Sequence, residues 1–251
     1  MAGREAGVRT RLRDWLEIVA TLASIVLCLT VTWAVLGRSS LTQRSGTPPS
    51  ANRPAPPPLP AAPISINGGT TLGNPLAKVV LIEYTEFQCP YCGTFARETF
   101  PSLKKEYVDN GKILFVVRHF PLDNLHPFAR RAAQGAECAA RQGRFWELHD
   151  LMFANQRTLD ASSMATYAKG LGLDPNRFEA CLSGDSSRKV EEDVTTGENL
   201  GVTGTPTSFV GLRQDASAVK LVQRIVGVQK FEALQVALEK WLTQAEKANT
   251  K

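Results

Sequence analysis

The sequence predicts a mixed α/β fold with a helical segment inserted in it, preceded by one apolar span and a proline-rich linker. Three observations carry that reading. Two continuous apolar runs, 78–84 and 112–118, flank a helical stretch, as two strands buried on both faces do in a right-handed βαβ unit. A long stretch, about 122–185, then shows helical periodicity and no strand pattern. The chain closes with two short strands and an amphipathic helix, 231–247, whose Phe231, Leu234, Leu238 and Leu242 share one face. The 251 residues fit one large domain or two small ones, and the composition is that of an ordinary globular protein. A net charge of +5, spread along the chain, argues against nucleic-acid binding.

Taken in order, residues 1–17 carry Arg4, Arg9, Arg11 and Arg13 and read as a cytoplasmic tail. Residues 18–36 contain no charge, and as a helix they extend about 28 Å, close to the thickness of a bilayer core. Trp15 and Trp33 lie near the ends of this run, where aromatic belts form. An uncleaved membrane anchor is the reading; a cleaved signal peptide competes, but the run is long for one and Ala34-Val35-Leu36-Gly37 is a poor cleavage site. Fewer basic residues follow the span than precede it, which sets the N-terminus in the cytoplasm and everything after 36 outside it. Cys28 lies within the span as a small apolar residue. The linker, 37–63, holds eight of the 15 prolines and too few apolar residues for a core, so it is expected to be semi-extended.

The globular part begins at Ile64, with a short edge strand 64–66 closed by Gly68-Gly69. Strand 78–84 leads to Phe87-Gln88-Cys89-Pro90-Tyr91-Cys92-Gly93 and a helix read over 93–110, which Pro101 should kink or interrupt. Asn110-Gly111 ends it, and strand 112–118 follows. Helices are predicted over 127–141, 145–155, 162–171, 175–182 and 186–200. Strands at 208–211 and 221–226 are joined by a hairpin of about nine residues.

The Cys89-Pro90-Tyr91-Cys92 motif is where chemistry is expected. A strand that delivers two cysteines to a helix N-terminus places a thiol against free N–H groups and the positive end of the helix dipole, which favours the thiolate. Pro90 costs nothing at the first helical position. Cys89 is the candidate nucleophile, and Cys92, one turn on, the thiol that resolves a mixed disulfide. A structural zinc site would need a second close pair, and Cys138 and Cys181 stand too far apart in sequence to supply it, so no metal is assigned. Glu83 ends an otherwise apolar strand; buried there, its carboxyl would be pushed up and could carry protons to Cys92, whereas pointing outward it would have no such role. Glu86 lies in a loop and is expected to be solvated. His119, His126 and His149 are scattered, and none is assigned a catalytic role.

Taken together, residues 70–245 resemble the thioredoxin-fold disulfide oxidoreductases of the DsbA type, in their membrane-anchored bacterial form. The resemblance rests on Cys89-Pro90-Tyr91-Cys92, Glu83 ahead of it, the helical insertion, and Gly204-Thr205-Pro206-Thr207 before the return strand. Arg118-His119-Phe120-Pro121-Leu122 and Gly143-Arg144-Phe145-Trp146 add to it. It implies a thioredoxin fold, an exposed Cys89, and a cis Thr205–Pro206 peptide facing the cysteines, where the backbone of Thr205 pairs with an extended substrate. One departure matters: strongly oxidising members carry a histidine between the cysteines, where this chain has Pro90-Tyr91. Cys138 and Cys181, both in the insertion, are either reduced core cysteines or, outside the cytoplasm, a second disulfide worth about 4 kcal/mol by loop closure.

The resemblance implies an enzyme at the cell membrane that introduces disulfides into unfolded exported proteins. It needs no cofactor beyond the Cys89–Cys92 disulfide and is reoxidised by a quinone-linked membrane partner. A reductase or isomerase would use the same site with electrons flowing the other way. A module that only binds extended peptides, its cysteines idle, is the rival from another class.

Overall fold

The computed structural model describes residues 56–248. The tail, the apolar span and the linker up to residue 55 lie outside them. No helix among the described residues is long and apolar enough to cross a membrane.

A six-stranded mixed sheet organises the chain. Its strands are β1 (Ile64–Ser65), β2 (Thr70–Gly73), β3 (Val79–Thr85), β4 (Ile113–His119), β5 (Thr207–Arg213) and β6 (Ala218–Val226), in the spatial order β1-β6-β5-β3-β4-β2. β3 and β4 are parallel, and every other pairing is antiparallel. All seven residues of β3 and of β4 are buried, which explains their uninterrupted apolar sequence. Alternation sends Val79, Leu81, Phe115 and Val117 into one core, and Val80, Ile82, Tyr84 and Val116 into another on the opposite face. Glu83 shares the parity of Val79 and Leu81, so its side chain enters the first core.

Helix α1 (90–108) connects β3 to β4. It is neither broken nor sharply ended at Pro101. α-Helical turns, Pro90–Thr94 and Phe100–Leu103, alternate with π-helical turns, Phe95–Thr99 and Lys104–Val108. The first wide turn, in which the Phe100 N–H donates to the Phe95 carbonyl, lies directly before Pro101 and accommodates a ring that an α-turn would crowd. The insertion follows β4 as α2 (Ala129–Ala140), α3 (Phe145–Ala154), α4 (Ala161–Gly170), α5 (Pro175–Leu182) and α6 (Ser186–Asn199). α2 is the central helix and packs on the other four. Cys138 and Cys181 join it to α5 by a disulfide. Asp160 and Asp174 cap α4 and α5 through their carboxylates. α7 (Phe231–Lys247) packs Leu234 and Leu238 onto the first core.

The structure adds detail to several expectations and shortens one loop. β2 lacks an apolar run because it is an edge strand of alternating exposure, held only by β4. The hairpin between β5 and β6 spans 214–217 rather than nine residues. The Asp215 carboxylate accepts from the Ser217 and Ala218 N–H groups, both at 2.8 Å, and closes a tight turn within a polar stretch. The helix at the redox motif has Pro90 at its first position, as expected, ahead of the run read from Gly93. The end of the proline-rich linker is largely exposed but touches the globular part at two points. The Pro57 carbonyl accepts from Arg224 Nη1 at 2.8 Å, and Leu59 packs on the second core. Gly201, at φ 72°, makes this possible, because a Cβ there would meet the Pro57 ring at 2.4 Å.

Candidate active site

Cys89 is the N-cap of α1, in extended conformation (φ −64°, ψ 120°), and no side-chain hydrogen bond caps the helix. Its sulfur lies at the helix N-terminus, where the N–H groups of Tyr91 and Cys92 favour its charged form. The cysteines are both reduced thiols and both buried. Cys89 is only 3% exposed, so the thiol expected at the surface is covered, while Tyr91 beside it is 64% exposed. The cover includes the Thr205 loop: the Cys89 thiol donates to the Thr205 carbonyl at 3.4 Å. Thr205–Pro206 is a cis peptide. It comes to Cys89 because β5 pairs with β3, placing Thr207 opposite Tyr84.

The two thiols are driven in opposite directions. Cys89 is lowered from 9.0 to about 5, chiefly by the hydrogen bond from the Cys92 thiol. Burial opposes this; the Thr205 side chain and the N–H groups of Tyr91 and Cys92 assist it. Cys92 is pushed up, first by burial and then by donating to Cys89. Glu83, 2% exposed, is raised from 4.5 to about 8 by burial, and its charge also opposes ionisation of Cys92.

Glu86 contradicts its expected solvation. It is 2% exposed, and burial raises its pKa. Its carboxylate accepts the Gln88 N–H at 2.5 Å and contacts His126 Nδ1. The loop between β4 and α2 folds over the motif, which is what buries Glu86; Gln88 Oε1 accepts from the Phe128 N–H. Sequence reasoning also missed Gln156. Its amide donates to the Phe87 and Cys89 carbonyls, both at 2.8 Å, while Arg97 holds its other end at 3.1 Å. Gly93 leaves room for it, since a Cβ would meet Gln156 Oε1 at 2.0 Å.

The remaining histidines lie in the core. His149 packs among Phe87, Phe145, Trp146 and Phe153, where burial lowers its pKa. His119 Nε2 meets Glu137 Oε1 at 3.0 Å. With Asp193 these two form the one set among the described residues whose ligand atoms lie within 4.8 Å of one another. Arg118 at 2.6 Å and Lys189 at 2.5 Å already engage Asp193, so the set is an ion-pair network and not a metal cradle.

The sequence profile of a family described as thioredoxin matches residues 65–226. The Na(+)/H(+) antiporter NhaA 3 of Salinispora tropica is 40% identical over 139 residues, which is 55% of this chain and 21% of that protein. An NhaA 1 antiporter of Mycobacterium sp. (strain KMS) is 37% identical over 141 residues, 55% of this chain and 22% of that protein. The chain thus spans only 21% and 22% of the length of these curated relatives. Among solved structures, alpha-DsbA1 of Wolbachia pipientis superposes with a TM-score of 0.64 at 25% identity, covering 76% of this chain and 96% of that one. Oxidised BdbD of Bacillus subtilis gives 0.61 at 21% identity over 74% and 100%, a likeness of fold.

Proposed function

The chain belongs to the thioredoxin family, and on that premise we propose that it is a protein thiol:disulfide oxidoreductase working at Cys89 and Cys92 in the oxidising direction. The observation that supports this most is the divergence of the two thiols, Cys89 lowered to about 5 and Cys92 raised. A low-pKa Cys89 is a good leaving group, and its stabilised thiolate favours the reduced form of the couple, which makes the disulfide an oxidant.

In the proposed cycle a client thiolate attacks Cys89 Sγ of the Cys89–Cys92 disulfide. The Sγ–Sγ bond breaks, its electron pair goes to Cys92, and Cys92 takes a proton, for which Glu83 is the proposed donor. The client's second thiolate then attacks the client sulfur of the mixed disulfide and Cys89 leaves as thiolate. The client's two thiolates, whose protons went to solvent, have lost two electrons; the enzyme holds them as the Cys92 thiol and the Cys89 thiolate, and Glu83 regains its proton from solvent. The Thr205 backbone, next to Cys89, is the proposed pairing edge for an extended client.

Unfolded exported proteins are the proposed clients and a quinone-linked membrane protein the proposed reoxidant. The proposed location is the outer face of the cell membrane, with residues 18–36 as anchor. No cofactor besides the cysteine pair is invoked. Cys89→Ser is expected to abolish oxidation of a reduced, unfolded two-cysteine protein while the far-UV spectrum stays unchanged. Undiminished turnover in that variant refutes the proposal.

A further inference from the structure

Glu86 is an unusual neighbour for a nucleophilic cysteine. Its side chain is fully buried, three residues before Cys89, on the turn that presents the thiol. Oε1 accepts the Gln88 N–H, and the Glu86 carbonyl accepts the Cys89 N–H at 3.3 Å, so this residue shapes the turn from both its ends. The carboxyl is also close enough to Cys89 for the sulfur's charge to help raise its pKa. A bare carboxylate there would repel a thiolate and reduce its stability.

The other oxygen of Glu86 contacts His126 Nδ1, and the imidazole is 23% exposed, reaching from the buried carboxyl toward solvent. His126 is itself held. Its N–H donates to the Leu122 carbonyl at 3.0 Å, and two residues on the Phe128 N–H donates to Gln88 Oε1. The loop carrying His126 is thus tied to the cysteine turn at two points. The contact requires one proton between Glu86 and His126; with Nε2 also protonated, the pair is neutral whichever of the two atoms carries the shared proton. The charged groups nearby on this segment, Asp123 and Arg130, are engaged with each other and with Glu191. Glu83 approaches the cysteines separately, from β3.

We infer that His126 is a positioning residue for the Cys89 thiolate, acting through Glu86: it fixes the carboxyl that shapes the turn and cancels that carboxyl's charge beside the sulfur. The inference rests on the reading of Cys89 as the nucleophile and adds a residue to which sequence assigned no role.

The test is the pH profile of Cys89 alkylation by iodoacetamide in the reduced full-length protein, with the modified residue located by mass spectrometry. In His126→Gln the profile is expected to move up, leaving about three- to tenfold less thiolate at a fixed pH below the midpoint. In the double variant Glu86→Gln/His126→Gln, where no carboxylate remains, it is expected to return toward wild type. Near-UV spectra confirm that both variants are folded. An unmoved profile in His126→Gln overturns the inference, and so does a double variant shifted as far as the single one. A wild-type Cys89 that titrates as an ordinary thiol overturns the underlying reading as well, and is recognised without any variant.

Discussion

Removing the Cys92 thiol should cost Cys89 roughly a quarter to a half of its added acidity. The hydrogen bond from Cys92 is the largest cause of the fall of Cys89 from 9.0 to about 5. A hydrogen bond to a charged acceptor is worth about 1.5–3 kcal/mol. One pKa unit corresponds to about 1.4 kcal/mol, so Cys92→Ala should raise Cys89 by about one to two units, to between about 6 and 7. At pH 5.5 that leaves roughly a tenth of the wild-type thiolate. Cys92→Ser keeps a donor in the same fully buried position and should move Cys89 much less. The rate of Cys89 alkylation against pH measures both variants, with wild type as the reference. If Ala and Ser variants titrate together, the donor is not what holds the thiolate, and Thr205 and the helix N-terminus carry the effect.

Glu83 couples ionisation to stability with a defined sign. Its pKa is about 8 when folded against 4.5 as the ordinary value, so the folded state binds the extra proton. Its stabilisation is complete below pH 4.5 and is lost as pH rises through about 8, by about 5 kcal/mol in full. The urea stability of wild type minus that of Glu83→Gln should fall over this range, whereas a difference independent of pH contradicts a buried carboxyl. Asp193 is fully buried between Arg118 and Lys189 and also accepts the His119 N–H at 3.1 Å. Asp193→Asn leaves two cations short of a counter-charge and should cost about 3–5 kcal/mol in urea unfolding. A loss below about 1 kcal/mol refutes that balance.

The parts of this fold legible in the sequence are those with local causes. β3 and β4 announce themselves because burial on both faces leaves no polar alternation. Pro90 marks the start of α1 because its missing N–H costs nothing at the first helical position. What was hidden depends on contacts between distant residues. Thr85-Glu86-Phe87-Gln88 is polar enough to pass for a solvated loop, and only the chain at 122–128 folding over it buries Glu86. Gln156 meets the Cys89 carbonyl from the end of α3, which no spacing in the sequence marks. The position of Thr205 follows from the register of β5 on β3, and in the sequence only family resemblance pointed to it. The hairpin at 214–217 is short because one carboxylate closes it, whereas composition alone suggested a longer loop.

The most direct test of the oxidising reading is the reduction potential of the Cys89–Cys92 couple, measured by equilibration with glutathione. A Cys89 pKa of about 5 lies about two units below that of the thioredoxin nucleophile, near 7. At pH 7 that difference stabilises the reduced form by about 2 kcal/mol, equivalent to about 50 mV for two electrons. The couple should therefore lie near about −220 mV, above thioredoxin's roughly −270 mV. A value at or below thioredoxin's would contradict the account and assign this site to reduction.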